Sequence, residues 1–372
     1  MKVTHIAKMY RPSIGGIENY IYNLNSELSD LGVDTSVLTT TESFVNTSSN
    51  EEREQNTTYC KSDLNVFRNP ISSELYYQIK REDPDILHIH SPWFFTSLIA
   101  VLANEDTPIV TTIHGVKSIN NSTLTRYFSR LYRPLAEFVL QSSDANIVLG
   151  KTERERMRQL FKNDYSNVYI IPNAIPPNEY DVQSPPSFSG IRELDKGSLT
   201  VLYVSRLVPN KNPELFIQIA EELSQADVQF LLVGGGDQKY IRELRDSAGE
   251  NVYIRENVGF NDLKNIYFFS DLFVFLGSWE GLPTVVLEAM NAELPIISSP
   301  AGALPDLIKE DVNGQIISDY NVSTFANQVS EYLNNDSKRA TIGKRNRKKV
   351  RDQYNWTTVA SEILSVYQGV VK

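Results

Sequence analysis

Cysteine is almost missing from this chain. Cys60 is the one cysteine in 372 residues, so no disulfide can form within it, and the composition fits a reducing, cytoplasmic setting. Long apolar runs are missing too. The longest, Phe94 to Ala103, carries Thr96 and Ser97 and is too short to span a bilayer. No leader pattern is read at the start, where Met1-Lys2-Val3-Thr4-His5-Ile6-Ala7 goes straight into a strand pattern. Without export, Asn-x-Ser/Thr triplets such as Asn56-Thr57-Thr58 read as chance. Positive charge is in deficit. A net charge of −10 argues against nucleic acid as the main partner, because phosphate binding wants a basic field. What remains is ordinary for a globular chain: 41% hydrophobic, 22% charged, and a length that favours two domains over one.

Apolar patterning alternates along the chain. Val3–Ala7, Val33–Thr39, Ile86–His90, Ile109–Ile113, Ala145–Leu149 and Val168–Ile171 read as strands. Between them Ile17, Ile21, Leu24, Leu28 and Leu31 recur at helical spacing, Phe94–Ala103 is helical, and Ser122–Leu140 is a helix that Pro134 kinks or splits. Thr40–Gln55 is polar and reads as a long loop. Pro172–Gly197 holds five prolines without periodicity and reads as a domain linker. Beyond it the alternation restarts with Leu199–Val204, Pro213–Ser224, Gln229–Val233 and Lys239–Ala248. Val252–Arg255, Asp262–Ser270 and Leu272–Leu276 follow, then Pro295–Ser298, Leu304–Ile308, Gly314–Ile317 and the final helices. Two such runs predict an α/β protein with two doubly wound parallel sheets, and ligands bind at the carboxyl ends of such strands.

Several residues stand at those carboxyl ends. Arg206 and Lys211 follow Leu199–Val204, where two cations suit a diphosphate; the alternative is two solvated charges. Gly234-Gly235-Gly236-Asp237 either cradles phosphate or, the favoured reading, is a turn whose Asp237 caps the next helix. Gly15-Gly16 precedes a helix and lets backbone amides approach an anion, or is simply a flexible loop end. His88 and His90 share one face of a strand, but no third metal ligand presents itself at standard spacing. His114 ends a strand before Gly115, as a hydrogen-bonding group for a polar ligand or a capped strand end. Asp83-Pro84-Asp85 lies at the amino end of its strand and reads as turn chemistry. Glu280 and Glu288 flank a strand-to-helix turn, either as an acid–base pair or as acceptors for sugar and ribose hydroxyls; Glu288 is otherwise an ordinary helix residue.

Together these segments resemble the retaining, nucleotide-sugar-dependent glycosyltransferases of the glycosyl transferases group 1 type (glycosyltransferase family 4), over nearly the whole chain. The matching pieces are Gly15-Gly16-Ile17-Glu18, Asp85-Ile86-Leu87-His88-Ile89-His90, Thr112-Ile113-His114-Gly115, Pro172-Asn173-Ala174-Ile175, Ser205-Arg206-Leu207 with Lys211, and Tyr354-Asn355-Trp356. The most specific is the pair Glu280 and Glu288 with seven residues between. The resemblance implies a GT-B fold, two Rossmann-like domains facing across a cleft: 1–175 on the acceptor side, 176–355 binding the nucleotide sugar, and 356–372 a helix crossing back. It implies that Arg206 and Lys211 bind the donor diphosphate with help from Gly15 and Gly16, and that Glu288 binds the ribose. Glu280 and His114 meet the transferred sugar, with Gly281, Leu282, Pro283 and Thr284 lining the donor site. No cofactor and no metal is implied; the nucleotide-diphosphate sugar is a substrate. Two departures stand out: Ala174 replaces a usual linker glycine, and Leu282-Pro283 stands where many members have Phe-Gly.

The acceptor is left open as a hydroxyl of a glycan, a lipid-linked molecule or a small molecule. Leu124–Leu140 mixes Tyr127, Phe128, Leu131, Tyr132, Leu135 and Phe138 with Arg126, Arg130 and Arg133. Such a helix suits peripheral contact with the inner face of an anionic membrane, although a core helix with a solvated face is the commoner explanation. The alternatives to a transferase are an epimerase or phosphorylase of the same fold, and a non-catalytic nucleotide-sugar-binding subunit.

Overall fold

The computed structural model describes residues 1–13, 15–41, 56–66, 69–116, 123–181 and 197–371, with 123–131 as backbone only. Two units emerge: Met1–Asn173 with Trp356–Lys372, and Ala174–Asn355. The predicted loop beyond Thr41 and the proline-rich stretch 182–196 fall outside the described residues.

The first unit contains β1 (Lys2–Ile6), α1 (Gly16–Asp30), β2 (Asp34–Thr41), β3 (Thr57–Lys61), β4 (Leu64–Val66), β5 (Asn69–Ile71), α2 (Ser73–Arg81), β6 (Ile86–His90), α3 (Phe95–Ala103), β7 (Ile109–Ile113), α4 (Thr123–Gln141), β8 (Ala145–Val148), α5 (Lys151–Phe161) and β9 (Val168–Ile170). Its main sheet runs β3-β2-β1-β6-β7-β8-β9, and every pair is parallel. Strand order reverses between β1 and β6, so the loops after these strands flank the topological switch point. Parallel strands covered on both faces need continuous burial, which β6 and β7 show at every position. Helix α4 runs through Pro134 without splitting.

The second unit contains β10 (Leu199–Val204), α6 (Pro213–Glu222), β11 (Val228–Val233), α7 (Gln238–Ser247), β12 (Val252–Arg255), α8 (Phe260–Phe269), β13 (Leu272–Phe275), α9 (Thr284–Asn291), β14 (Ile296–Ser298), α10 (Leu304–Leu307), β15 (Gly314–Ile316), α11 (Val322–Leu333) and α12 (Asp336–Gln353). Its sheet order is β12-β11-β10-β13-β14-β15, again all parallel. The reversal falls between β10 and β13. On one face of that sheet the core gathers Tyr203, Phe230 and Val274 from the strands with Phe216 and Phe325 from the helices. The last helix, α13 (Trp356–Val370), belongs to the first unit. Among the described residues no helix is long and apolar enough to cross a membrane.

Several elements escape the sequence reading. Strand β3 is polar and buries Cys60 alone fully, as suits a sheet edge. The short helix α2 buries Leu75 and Ile79, and Ser72 caps it by accepting from the Leu75 N–H. The segment Leu304–Leu307 is a single helical turn.

Candidate functional site

The switch point of the second unit holds Arg206, Lys211 and Glu280. β10 delivers Ser205-Arg206-Leu207 to its carboxyl end, and a 3-10 turn, Pro209–Lys211, folds the chain back before α6. β13 delivers Gly277–Pro283 beside it. The two loops are tied together: Ser278 donates through N–H and hydroxyl to the Asn210 carbonyl, each at 3.0 Å, and Asn212 Nδ2 donates to the Leu276 carbonyl at 2.7 Å. Tyr203 donates its hydroxyl to the Lys211 carbonyl at 2.8 Å, fixing the turn from beneath.

Lys211 is buried while Arg206 is exposed. The Lys211 ammonium forms an ion pair with Glu280 and lies 5.9 Å from the centre of the Phe275 ring. Burial first, and the nearby Arg206 charge second, pull its pKa down to about 8. Two cations that repel one another at the carboxyl end of a parallel strand make a ready place for a dianion.

Glu288 sits in the middle of α9 and is buried. Tyr267 of α8 donates to it at 2.9 Å, and the hydroxyls of Thr284 and Tyr180 also reach it. Burial raises its pKa, and the three hydroxyls work against that rise. The tyrosines are the part that sequence reasoning missed. Tyr180 arrives from the turn Pro177–Tyr180, which Asn291 of α9 anchors by donating to the Pro177 carbonyl at 3.1 Å.

The glycine run after β11 forms a turn into α7. Asp237 caps α7 by accepting from the N–H groups of Lys239 and Tyr240, and the Gly234 N–H is taken by the Arg255 carbonyl. A Cβ on Gly234 would collide with the Ser205 carbonyl oxygen, and one on Gly236 with that of Leu207. These glycines let the loop carrying Arg206 lie against the backbone. Gly281 is held in a similar way: Ala303 N–H donates to its carbonyl at 2.7 Å. Leu282 is buried, Pro283 is the N-cap of α9, and Thr284 opens that helix.

In the first unit Gly15 is the N-cap of α1 and Gly16 its first residue. The Glu18 carboxylate folds back over Gly15, while nothing lies near the Cβ position of Gly16. His114 follows β7, and burial drops its pKa to about 3, so the ring is neutral. The metal reading needs a correction. Register places His5 of β1 opposite His88 of β6, so a third histidine does join His88 and His90, with ligand atoms within 4.8 Å of one another. Sequence spacing cannot reveal a partner that arrives from a neighbouring strand. The nitrogens are engaged differently, however. His5 Nδ1 and His90 Nε2 share a hydrogen bond of 3.0 Å, and His90 Nδ1 and His114 Nε2 one of 3.1 Å. His88 bonds the Tyr367 hydroxyl at 2.6 Å and the Thr112 hydroxyl at 2.7 Å.

Two family models match adjoining parts of the chain: Glycosyltransferase Family 4 over residues 14–179, and Glycosyl transferases group 1 over residues 187–349. Spore coat protein SA of Bacillus subtilis is 33% identical over 185 residues, 46% of this chain and 49% of that protein, so this match spans about half of each. The UDP-Gal:alpha-D-GlcNAc-diphosphoundecaprenol alpha-1,3-galactosyltransferase of Escherichia coli is 26% identical over 312 residues, 80% of this chain and 78% of that one. Among solved structures, Anabaena Alr3699/HepE in complex with UDP has a TM-score of 0.81 at 18% identity, covering 99% of this chain and 100% of that chain. The same protein in complex with UDP-glucose gives 0.78 and 17%.

Proposed function

We propose, from the premise that this chain belongs to the glycosyl transferases group 1 family and has the GT-B fold, that it is a retaining, metal-independent hexosyltransferase. It moves a sugar from a nucleotide-diphosphate sugar to a hydroxyl acceptor in the cytoplasmic assembly of a polysaccharide, glycolipid or glycoprotein glycan. The observation that carries this reading is the convergence of Arg206, Lys211 and Glu280 at the β10–β13 switch point, one helix away from the buried Glu288.

Arg206 and Lys211 hold the diphosphate and neutralise it as it leaves, which is the main electrostatic demand of the reaction. When the diphosphate takes Lys211, Glu280 is released from its ion pair and accepts hydrogen bonds from the sugar. Glu288 accepts from the ribose hydroxyls, with Tyr267 and Tyr180 fixing its orientation. Gly15, Gly16 and His114 keep in this proposal the donor roles that the family resemblance implies. In the transfer the bond from the anomeric carbon to the diphosphate oxygen breaks, a bond to the acceptor oxygen forms, and the acceptor proton passes to the departing diphosphate. The cations on the chain supply the charge that a metal would otherwise bring. The E. coli relative is named for a UDP-Gal donor and a diphosphoundecaprenol acceptor, and HepE has been solved with UDP-glucose, so uridine donors and lipid-linked acceptors come first.

The decisive experiment is a donor panel: several nucleotide sugars with glycan, lipid-linked and small-molecule acceptors, released nucleotide being monitored. Binding and turnover with no donor would sink the proposal. Proton NMR of the product reads the anomeric configuration, and turnover in excess EDTA tests metal independence. Peripheral membrane contact through α4, where Phe138 is exposed, is a subsidiary part of the reading. Failure to sediment with anionic liposomes at low salt removes it.

A further inference from the structure

Four histidines are all the chain has, and the structure places three of them in one hydrogen-bonded row. His5 and His90 are buried completely or nearly so, and His114 is half-buried at the carboxyl end of β7. Tyr20 of α1 packs edge-on against His114 and His90, with ring centres at 4.7 and 5.7 Å, and Trp356 of α13 meets the same tyrosine at 5.0 Å. His88 packs on His90 at 4.3 Å. The rings are thus held from several sides, and their ring-to-ring bonds are fixed in place.

A neutral imidazole carries one N–H and one bare nitrogen. Burial lowers the pKa of all three members, so each is neutral. A row of neutral imidazoles can make both bonds only if all the N–H groups point the same way. Two polarities are available. In one, His114 Nε2–H donates to His90 and His90 to His5, which leaves a buried N–H at His5 Nε2. In the other, His5 Nδ1–H donates to His90 Nε2, and His90 Nδ1–H donates to His114 Nε2. Among the described residues no polar group reaches the buried His5 Nε2. An orphaned buried N–H is the rarer and costlier defect, so the second polarity is favoured.

We infer that the row His5–His90–His114 sets the tautomer of His114, leaving Nδ1–H at the half-buried end as a hydrogen-bond donor. His5 and His90 are positioning residues. They touch no substrate, and they prevent His114 from presenting a bare nitrogen. A donor there suits a hydroxyl oxygen of the transferred sugar and excludes service by His114 as a general base. That use of the donor rests on the proposed function; the tautomer itself does not.

The test needs no substrate. The full chain is labelled with 15N-histidine, and long-range 1H–15N correlation spectra identify which ring nitrogen carries the proton. His5, His90 and His114 are all expected in the Nδ1–H form, the less common tautomer of free imidazole. His90→Ala opens a polar space that water can enter, and His114 is then expected to shift to the Nε2–H form. With the donor found in the panel, kcat/KM is expected to fall roughly tenfold, one hydrogen bond's worth. A wild-type His114 protonated at Nε2, or at both nitrogens, overturns the inference. So does a folded His90→Ala protein whose His114 tautomer is unchanged. If that variant does not fold, the wild-type spectrum decides alone. If the panel finds no donor while the tautomers are as stated, the row stands and its assigned use falls.

Discussion

Lys211 titrates within the range of ordinary binding assays. Burial and the Arg206 charge lower its pKa to about 8, against an ordinary value of 10.5. The folded, empty protein therefore loses this cation as pH rises through about 8. Nucleoside diphosphate binding should weaken above that point, by up to tenfold for each pH unit, because binding then has to take up a proton. Titration of UDP calorimetrically from about pH 6.5 to 9.5 checks this, with Lys211→Arg as the control that keeps its charge. A flat wild-type profile would remove Lys211 from diphosphate binding. Stability moves the other way: between about 8 and 10.5 the unfolded chain holds a proton that the folded chain has lost, so this residue's contribution rises with pH. Glu288 gives a second prediction. Glu288→Gln keeps an acceptor for Tyr267 and Tyr180 and should fold normally. It should weaken nucleotide binding roughly tenfold, since hydrogen bonds to a charged acceptor contribute about 1.5–3 kcal/mol and a neutral amide contributes less. Adenine- or uridine-diphosphate affinity equal to wild type would exclude the ribose role.

Among the elements, the loops after the strands carry the chemistry, and their shape depends on glycine in a few places. Gly302 has φ +53°, and a Cβ there would strike the carbonyl oxygens of Gly281 and Glu280. Gly302→Ala should lower Tm by more than roughly 5 °C, because the collision adds to about 1–2 kcal/mol of backbone strain. It should also raise the donor KM, because the turn that holds Glu280 has to move. Gly32→Ala is the matched control: φ is +78° but nothing lies within 4 Å, so stability falls while KM stays. Equal KM effects in the two variants would rule out the link to Glu280. The same scale shows what the sequence made legible. Apolar runs such as Ile86–His90 and Leu272–Phe275 mark buried strands because parallel sheets need burial on both faces. Residues at strand ends, Arg206 and His114 among them, could be read as site candidates for the same reason. Strand β3 could not be read, since Thr57-Thr58-Tyr59 carries no alternation that separates an edge strand from a loop. Nor could the Lys211–Glu280 pair or the third histidine, because both depend on which strands become neighbours. The glycine run Gly234–Gly236 is legible as a turn, while its close approach to Ser205 and Leu207 depends on how β10 and β11 pair.

For the whole molecule, the unusual feature is that the chain ends in the unit where it began. Trp356, Val359, Ile363, Val366 and Tyr367 of α13 are buried within the first unit. At about 1.5–3 kcal/mol for each large side chain, their burial contributes on the order of 10 kcal/mol, taken as an upper bound. A domain's entire stability is about 5–15 kcal/mol. Loss of α13 should therefore unfold the first unit outright. It also removes Tyr367 from His88 and Trp356 from Tyr20. Among the described residues, the main core cluster of the second unit runs from Val201 to Ile342 and has no member from α13. A chain stopped after Asn355 should accordingly lose transfer activity completely, yet retain nucleoside diphosphate binding through Arg206 and Lys211. Limited proteolysis should digest residues up to about Asn173 and leave a resistant fragment beginning near Ala174. Mass spectrometry of the digest and UDP titration of the surviving fragment read both outcomes. Protection of the first unit at the wild-type level would show that α13 is dispensable to it. Simultaneous loss of both units would show that the second cannot stand without the first.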